Sequence, residues 1–371
     1  MSRVNSLSVS GYKSIRELMD FKLNALNVLI GANGAGKSNF INLFRLLNQM
    51  YEQQLQLYVP LQGGPDALLH FGRSTSQQLH AEFRFQSDTL ASMRSGYSFN
   101  LIPTVDNQFI FESEQNFFFG GELQIVNPSR VLGRGHSESR LKEAKDDYSQ
   151  FVRLSVSNWR VYHFHDTSDT AKVKQRHATN DNLRLKPDAA NLAPYLRMIK
   201  EKHAAHHQRI VETIRLVMPF FDDFVHRPGD PDYVELEWTE KNDPDTPFKA
   251  HRLSDGSLRF ICLVTLLLQP VALLPDTILI DEPELGLHPY AIAVLADIFK
   301  QVAEDRQLIV STHSVELINE LSPEDVIVVE NQRGESIFKR LNTEDLGDWL
   351  KDDYSLGELW KRNILGGRPT L

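Results

Sequence analysis

Residues 31–38, GANGAGKS, constrain the fold more than any other part of the chain. They follow the apolar run NVLI and precede the apolar run FINLFRLL, which predicts a strand, a tight turn and a helix in that order. The spacing fits G-x-x-x-x-G-K-[ST], a loop whose glycines let successive backbone N–H groups turn inward around a phosphate. A helix that begins near Lys37 adds the positive end of its dipole. The pattern predicts an α/β fold with a nucleotide site.

The spacing also assigns roles within this loop. Lys37 is expected to neutralise the β/γ-phosphate oxygens, and Ser38 is expected to ligate Mg²⁺. A glycine-rich turn that holds no nucleotide is the alternative, which the strand–turn–helix context disfavours. The residues expected to contact the nucleotide are Asn33, Gly34, Ala35, Gly36, Lys37, Ser38 and Asn39.

A second motif, TILIDEPELGLHP at residues 277–289, places two carboxylates at the end of an apolar strand. Open α/β folds bind ligands outside the carboxyl ends of their parallel strands. Asp281 is therefore expected to hold Mg²⁺ together with Ser38, and Glu282 to polarise the attacking water. A turn that merely caps the next helix is the alternative, and the glycine-rich loop argues against it.

His313 stands at the polar tip of a further apolar strand, RQLIVSTHS. A single histidine in such a place is usually structural. This one follows the acidic strand by one helix and one strand, a position from which its side chain can reach the γ-phosphate. Lys37, Glu282 and His313 are the predicted catalytic residues.

The segment LSDGS, residues 253–257, directly precedes the apolar run LRFICLVTLLL. Small polar residues around Asp255 and Gly256 cap a helix well, because their oxygens accept hydrogen bonds from the free N–H groups of the first turn. On the residues alone, capping is a sufficient explanation of this motif.

The loop, LSDGS, the Asp-Glu pair and the histidine, in this combination, resemble the ATP-binding-cassette (ABC) ATPases of the RecF, SMC and OLD type. The resemblance implies an ABC-type P-loop ATPase head that binds ATP and Mg²⁺. In such heads the Ser-Gly signature reaches the γ-phosphate held by the other subunit. Ser254 is then expected to donate to the partner's phosphate, and Gly256 to allow close backbone approach. LGLHP, residues 285–289, resembles the D-loop, which touches the partner's site.

LSDGSLRF, DEPELGLHPYAI, STHS and the closing SLGELWKRNILGGRP resemble stand-alone bacterial ATPases of the AAA-21 kind, as do VYHFHDTS and NLAPYLRMI. This likeness spans most of the chain. It implies a compact ATPase without a fused Toprim nuclease, acting as a homodimer or higher assembly. A separately encoded effector protein is the expected partner, frequently in defence against phage. A RecF-like DNA-binding ATPase of DNA repair is the alternative, and a transporter subunit fits poorly.

The chain between Lys37 and Asp281 is far longer than in transporter cassettes. We expect an ATPase head formed by residues 1–86 and 250–371, with residues 87–249 as an inserted α+β subdomain. A mixed-charge helix is expected at residues 137–147. The Q-loop glutamine of ABC ATPases has several candidates, which are Gln62, Gln77, Gln78 and Gln86.

Charge and composition limit the partners and the compartment. The net charge is −9, yet residues 172–215 carry ten Lys and Arg against four acids, a strip that could contact DNA phosphates or simply form a solvated face. No run of 18 apolar residues is present and there is one cysteine, Cys262, so we expect a cytoplasmic protein without a membrane span.

His163, His165 and Asp166 could hold a second metal, but no other cluster of suitable spacing accompanies them. We therefore expect Mg²⁺ alone.

Overall fold

The computed structural model describes residues 2–87, 94–118, 129–229, 231–351 and 354–367. Two six-stranded sheets form most of the β structure. The helices are α1 (Lys37–Tyr51), α2 (Leu55–Leu61), α3 (Pro65–Leu68), α4 (Asp147–Ser157), α5 (Leu192–Lys202), α6 (Ala204–Val217), α7 (Asp255–Leu268), α8 (Pro289–Asp305), α9 (Val315–Asn319), α10 (Thr343–Lys351) and α11 (Leu356–Lys361).

The strands follow the apolar runs of the sequence. They are β1 (Ser2–Tyr12), β2 (Ile15–Lys22), β3 (Leu26–Ile30), β4 (Leu79–Ser87), β5 (Arg94–Pro103), β6 (Phe109–Phe118), β7 (Arg130–Gly133), β8 (Trp159–Tyr162), β9 (His177–Ala178), β10 (Phe221–Phe224), β11 (Tyr233–Val234), β12 (Glu237–Glu240), β13 (Asp243–Lys249), β14 (Thr277–Asp281), β15 (Gln307–Ser311), β16 (Val326–Gln332) and β17 (Glu335–Arg340).

The first sheet has the order β17-β16-β3-β15-β14-β8 and is parallel except for the β16–β17 hairpin. Strands β3 and β15 are buried at every position and β14 at all but Asp281, because a parallel sheet is covered on both faces. In the register, Ser311 lies opposite both Leu29 and Asp281. The carboxyl ends of these strands therefore share one edge of the sheet.

The second sheet is antiparallel, with the order β2-β1-β4-β5-β6-β7. Helix α1 packs against it through Phe44, whose ring centroid lies 5.8 Å from that of Phe83 and 5.1 Å from that of Trp159 in β8. Because β8 belongs to the parallel sheet, this aromatic cluster joins α1 to both sheets. These contacts hold the loop at residues 31–36 in place relative to the carboxyl edge of the parallel sheet.

Residues 87–249 contribute to both sheets. Strands β5 to β7 extend the antiparallel sheet, and β8 pairs in parallel with β14 through Trp159 and Thr277. Helix α6 packs between α5 and α7, and its His206 ring bonds to the carbonyl of Leu268 in α7 at 3.1 Å. The division of the chain at residues 87 and 249 stays a prediction, and part of this segment builds the core sheet.

The helix predicted for residues 137–147 is wrong, because α4 begins only at Asp147. The Asp146 carboxylate accepts the Ser149 N–H at 3.0 Å and so caps the helix there. Upstream, Glu138 accepts the backbone N–H groups of Leu55 and Gln56, and Ser139 donates to buried Glu114 at 2.5 Å. These side chains tie the segment to other parts of the fold, and its helical part is limited to a short 3₁₀ helix at Leu141–Glu143.

Candidate active site

The glycine-rich loop leads from buried β3 into α1 and places Lys37 inside the protein. Gly34 and Gly36 have φ of 78° and 113°, values that L side chains rarely adopt. A Cβ at Gly36 would also overlap the Ser336 hydroxyl, which donates to the Ala35 carbonyl at 2.6 Å. Lys37, 5% exposed, donates to the carbonyls of Gly31 and Ala32 at 2.8 and 3.2 Å. The loop is thus preformed around its lysine.

The other predicted residues of this loop have distinct surroundings. Asn33, Gly34 and Ser38 are exposed, so a ligand can reach them, whereas Ala35 is buried. The amide of Asn39 instead donates to the Ser14 hydroxyl at 2.7 Å. Asn39 therefore buttresses the turn between β1 and β2 in this structure.

Two carboxylates lie beside the loop at the carboxyl end of β14. The Asp281 carboxylate accepts a hydrogen bond from the Ser311 hydroxyl. Glu282 donates its backbone N–H to the Ser311 carbonyl at 2.9 Å and has φ of 47°, an uncommon value for a residue with a side chain. Such backbone strain concentrates at functional sites, where the surrounding structure holds the residue in place.

His313 lies against these carboxylates. Its Nε2 is 3.5 Å from the Glu282 carboxylate, and its backbone N–H donates to Glu284 at 2.7 Å. Partial burial and then the nearby charge of Lys37 lower the pKa of His313. The imidazole is therefore biased toward its neutral form.

The electrostatics of Lys37 link the loop to the carboxylates. Burial lowers the pKa of Lys37 to about 8, and Glu282, Asp281 and Glu284 act in the opposite direction. The Lys37 ammonium and these carboxylates therefore lie close enough to interact electrostatically. The four side chains that the sequence analysis assigned to chemistry, those of Lys37, Asp281, Glu282 and His313, meet at one edge of the parallel sheet.

The LSDGS segment lies at the start of α7, as predicted, and Ser254 caps that helix by accepting the Ser257 N–H at 3.2 Å. A Cβ at Gly256 would overlap the carbonyl oxygen of Gly286, in the loop after Glu282. The close backbone approach at Gly256 is thus made within the chain, to Gly286. Ser254 and Asp255 are exposed.

Arg259, one turn into α7, joins three segments of the site. It is 7% exposed, and its guanidinium donates to the carbonyls of Phe164 at 2.9 Å, His165 at 3.3 Å and Leu285. Arg259 was not predicted from the sequence as a residue of the site. The charge of Arg259 inside the apolar run after LSDGS could have indicated a buried arginine with hydrogen-bond partners, because arginines are rarely buried without them.

Two further residues lie beside the carboxylates: Glu284 was not singled out from the sequence, and His165 was considered there only as a ligand of a second metal. His165 donates through Nε2 to the Asp281 carbonyl at 2.8 Å. The Oε2 of Glu284 is buried and accepts no hydrogen bond of good geometry from the described part of the chain, and burial raises the pKa of this carboxyl group. DEPE and VYHFHD contain both residues, but only the pairing of β8 with β14 reveals that His165 lies next to Asp281.

His163 and His165 follow directly after β8. Burial lowers the pKa of His163 to about 4, with Arg45 acting in the same direction, so this ring is neutral at neutral pH. The candidate glutamines lie elsewhere: Gln86 pairs with Arg3 in the antiparallel sheet, Gln77 and Gln78 precede β4, and Gln62 ends α2. Within the described ranges, no three His, Cys, Asp or Glu side chains are arranged to hold a metal ion by themselves.

The cations of residues 172–215 are largely neutralised. Six of them lie within 4 Å of a carboxylate: Lys172, Lys174, Lys186, Arg197, Lys200 and Arg215. Lys174 is also buried. The strip therefore presents less free positive charge than its composition indicates.

The residues at the sheet edge fit ATP and Mg²⁺. The left-handed glycines leave a cradle that side chains would fill, and Lys37 lies inside it. Ser38 and Asp281 supply hydroxyl and carboxylate oxygens, the donors that Mg²⁺ prefers. The buried Oε2 of Glu284 adds an acceptor nearby.

Comparison with known proteins identifies a family model that matches most of the chain and a curated relative that matches over a short stretch. The AAA_21 model, described as "AAA domain, putative AbiEii toxin, Type IV TA system", matches residues 26–319. A "Putative ABC transporter ATP-binding protein" of Methanosarcina acetivorans is 31% identical over 84 residues, 22% of this chain. The match spans only 29% of that protein's length.

Two solved structures share the fold over nearly the whole chain. An SMC head bound to the C-winged helix domain of ScpA has a TM-score of 0.61 at 16% identity, covering 93% of this chain and 99% of its own. An SMC head with an extended coiled coil, bound to the C-terminal domain of ScpA derived from Pyrococcus furiosus, has a TM-score of 0.59 at 14% identity, covering 95% and 100%. At these identities the likeness shows the fold alone. The chain therefore belongs to the AAA_21 family and has the ABC/SMC-like fold of a P-loop ATPase.

Proposed function

We propose that this protein binds ATP with Mg²⁺ and hydrolyses it to ADP and phosphate at sites shared by two copies of the chain. The observation that carries the proposal is the meeting of Lys37, Asp281, Glu282 and His313 at one edge of the parallel sheet. The family and the fold support ATP as the nucleotide.

Each side chain has a role that follows from its position. Lys37 binds the β- and γ-phosphate oxygens, and the loop N–H groups from Gly34 to Ser38 orient the phosphate chain. Ser38 and Asp281 would hold Mg²⁺, which when bound neutralises developing charge on the phosphate oxygens. Glu282 takes a proton from the attacking water. His313, biased toward the neutral form, donates a hydrogen bond to the γ-phosphate.

The second copy supplies the rest of the site. Ser254 is exposed at the positive end of α7, where a hydroxyl and a helix N-terminus can both face a phosphate. Gly256 would let the partner's nucleotide come close to its backbone. In the structure, the backbone of Gly286 in the same chain already lies against Gly256. ATP then closes the dimer and hydrolysis reopens it.

The proposed task of this motion is to regulate a separately encoded effector, with a nuclease of an anti-phage module as the candidate. The family description, which names a toxin of a toxin–antitoxin system, supports this direction. The SMC heads of similar fold were solved bound to a partner protein, ScpA. Among the described residues, no helix is long and apolar enough to cross a membrane.

Steady-state ATP hydrolysis across a range of protein concentrations tests the proposal. A rate per subunit that rises with concentration supports the shared site, and a rate independent of concentration contradicts it. The same titration with duplex DNA tests the alternative of a DNA-repair ATPase. Strong stimulation would favour that function, although the paired cations of residues 172–215 argue against it.

A further inference from the structure

The C-terminal segment rests directly on the glycine-rich loop. Ala32, inside the loop, donates its backbone N–H to the Gly367 carbonyl at 2.8 Å. Gly367 in turn donates its own N–H to the Glu330 carboxylate at 2.9 Å. A chain of two hydrogen bonds thus runs from Glu330 in β16, through the tail, to the loop that surrounds Lys37.

The backbone conformation favours glycine at two tail positions. Gly366 and Gly367 both have φ of 83°, a conformation that strains residues with side chains. A Cβ at Gly366 would overlap the Glu330 carboxylate, and a Cβ at Gly367 would lie 3.3 Å from the Gly31 Cα and from the Trp360 Nε1. The Gly-Gly pair of the closing motif therefore has a structural cause: it lets the tail backbone touch the loop backbone.

The same tail is also attached to the segment that carries His313. Helix α11 packs on α9, which starts at Val315. Gly357 donates its N–H to the Asn319 side chain at 2.8 Å, and a Cβ at Gly357 would collide with Asn319 and Val315. The tail thus spans two functional segments, the loop at Ala32 and the helix that follows His313.

The space between these attachments opens onto the candidate active site. A hollow of about 380 Å³ lies there, lined by Gly31, Ala32, Asn33, His313, Val315, Trp360, Lys361 and Gly367. The tail therefore forms one wall of the cleft that contains two of the predicted nucleotide contacts, Asn33 and His313.

We propose that residues 356–367 act as a positioning strap that fixes the glycine-rich loop relative to the His313 segment and so sets the affinity for ATP. Glu330, Gly357 and Gly367 are its positioning residues. The two hydrogen bonds fix the position of Ala32 and so hold the loop open for the phosphates before the nucleotide arrives. Less conformational entropy is then lost when ATP binds. This inference rests on the proposed ATPase function.

Gly367→Ala in the full-length chain tests the strap. The added methyl strains the backbone at Gly367 and presses on Gly31, so the hydrogen bond to Ala32 is lost. Losing one such bond predicts an ATP Kd raised about five-fold or more, with kcat changed less than KM. Gly347→Ala is the matched control, because a Cβ at Gly347 has open space within 4 Å and a helical position tolerates alanine.

Three measurements on both variants separate the possibilities: ATP Kd with a fluorescent analogue, kcat and KM for hydrolysis, and amide hydrogen exchange at Ala32. The proposal expects faster exchange at Ala32 and weaker ATP binding in Gly367→Ala, and neither in Gly347→Ala. Unchanged exchange, or faster exchange with unchanged Kd, overturns it. If the unmodified protein binds no ATP, the proposed function fails, while Ala32 exchange still decides whether the strap holds the loop.

Glu330→Gln provides a second variant that leaves the glycines intact. The amide oxygen can still accept the Gly367 N–H, so the strap predicts an ATP Kd within about two-fold of the unmodified protein. Glu330→Ala removes the acceptor and should reproduce the Gly367→Ala effect. Equal behaviour of the Gln and Ala variants would contradict the role of this hydrogen bond.

Discussion

Replacing Arg259 by leucine should destabilise the protein more than any surface change of the same kind. The guanidinium is 7% exposed and donates to three backbone carbonyls, those of Phe164, His165 and Leu285. Leucine keeps part of the apolar stem but leaves those carbonyls without their donor. The loss therefore combines charged hydrogen bonds with the cost of unsatisfied buried acceptors.

The magnitude follows from these contacts. A hydrogen bond to a charged group contributes roughly 1.5 to 3 kcal/mol, and the 3.3 Å bond to His165 is long and counts least. We expect Arg259→Leu to lower the free energy of unfolding by about 3 to 5 kcal/mol. Arg259→Lys keeps the charge but lacks the planar guanidinium. Its free energy of unfolding should therefore lie between those of the unmodified protein and Arg259→Leu.

Equilibrium urea unfolding measures this loss as a lower midpoint at unchanged slope. Arg16→Leu is the control, because the Arg16 side chain is 68% exposed and pairs with Glu335 at the surface. That pair should contribute at most about 1 kcal/mol. If Arg259→Leu loses no more stability than Arg16→Leu, the three carbonyl contacts do not stabilise the fold and the reasoning is refuted.

Three further predictions concern the active site and pH. Glu282→Gln should slow ATP turnover by roughly 10²- to 10⁴-fold and accumulate an ATP-bound dimer on size exclusion, and hydrolysis at the unmodified rate would refute its role as the base. Lys37→Ala should abolish ATP binding in a filter or fluorescence assay, because the buried ammonium is the cation inside the loop. Burial lowers the pKa of His226 to about 4. Its contribution to the free energy of unfolding is therefore complete above pH 6.5 and is lost as the pH falls toward 4. Between pH 7 and pH 5 this loss is about 2 kcal/mol, and His226→Asn should reduce the pH dependence of urea unfolding by that amount.

The sequence predicted those parts of the fold that depend on neighbouring residues. The strand, glycine loop and helix around Lys37, the strand ending at Asp281 and the helix after Ser254 all appear where the local pattern places them. Each is set by an apolar run and by turn or capping residues a few positions away.

Features set by long-range pairing could not be predicted in this way. That His165 lies beside Asp281 depends on β8 joining the sheet next to β14, between segments more than 100 residues apart. The helix expected at residues 137–147 failed because Glu138 and Ser139 bond to α2 and β6, partners that no local pattern contains. Arg259 was overlooked because its partners are carbonyls of two distant loops.

The contact between Gly256 and Gly286 has a consequence for the kinetics of the proposed dimer. Gly256 lies in the segment that would serve the other copy's nucleotide. Gly286 lies in LGLHP, which resembles the D-loop at the partner's site, and it comes four residues after Glu282, which would serve the chain's own nucleotide. Because no side chain separates their backbones, a movement of either segment toward the other should displace that other segment. Binding of ATP at one site would therefore affect the other site. The rate of hydrolysis should depend cooperatively on ATP concentration, with a Hill coefficient above one. A dimer with one inactive subunit should then lose more than half of its rate.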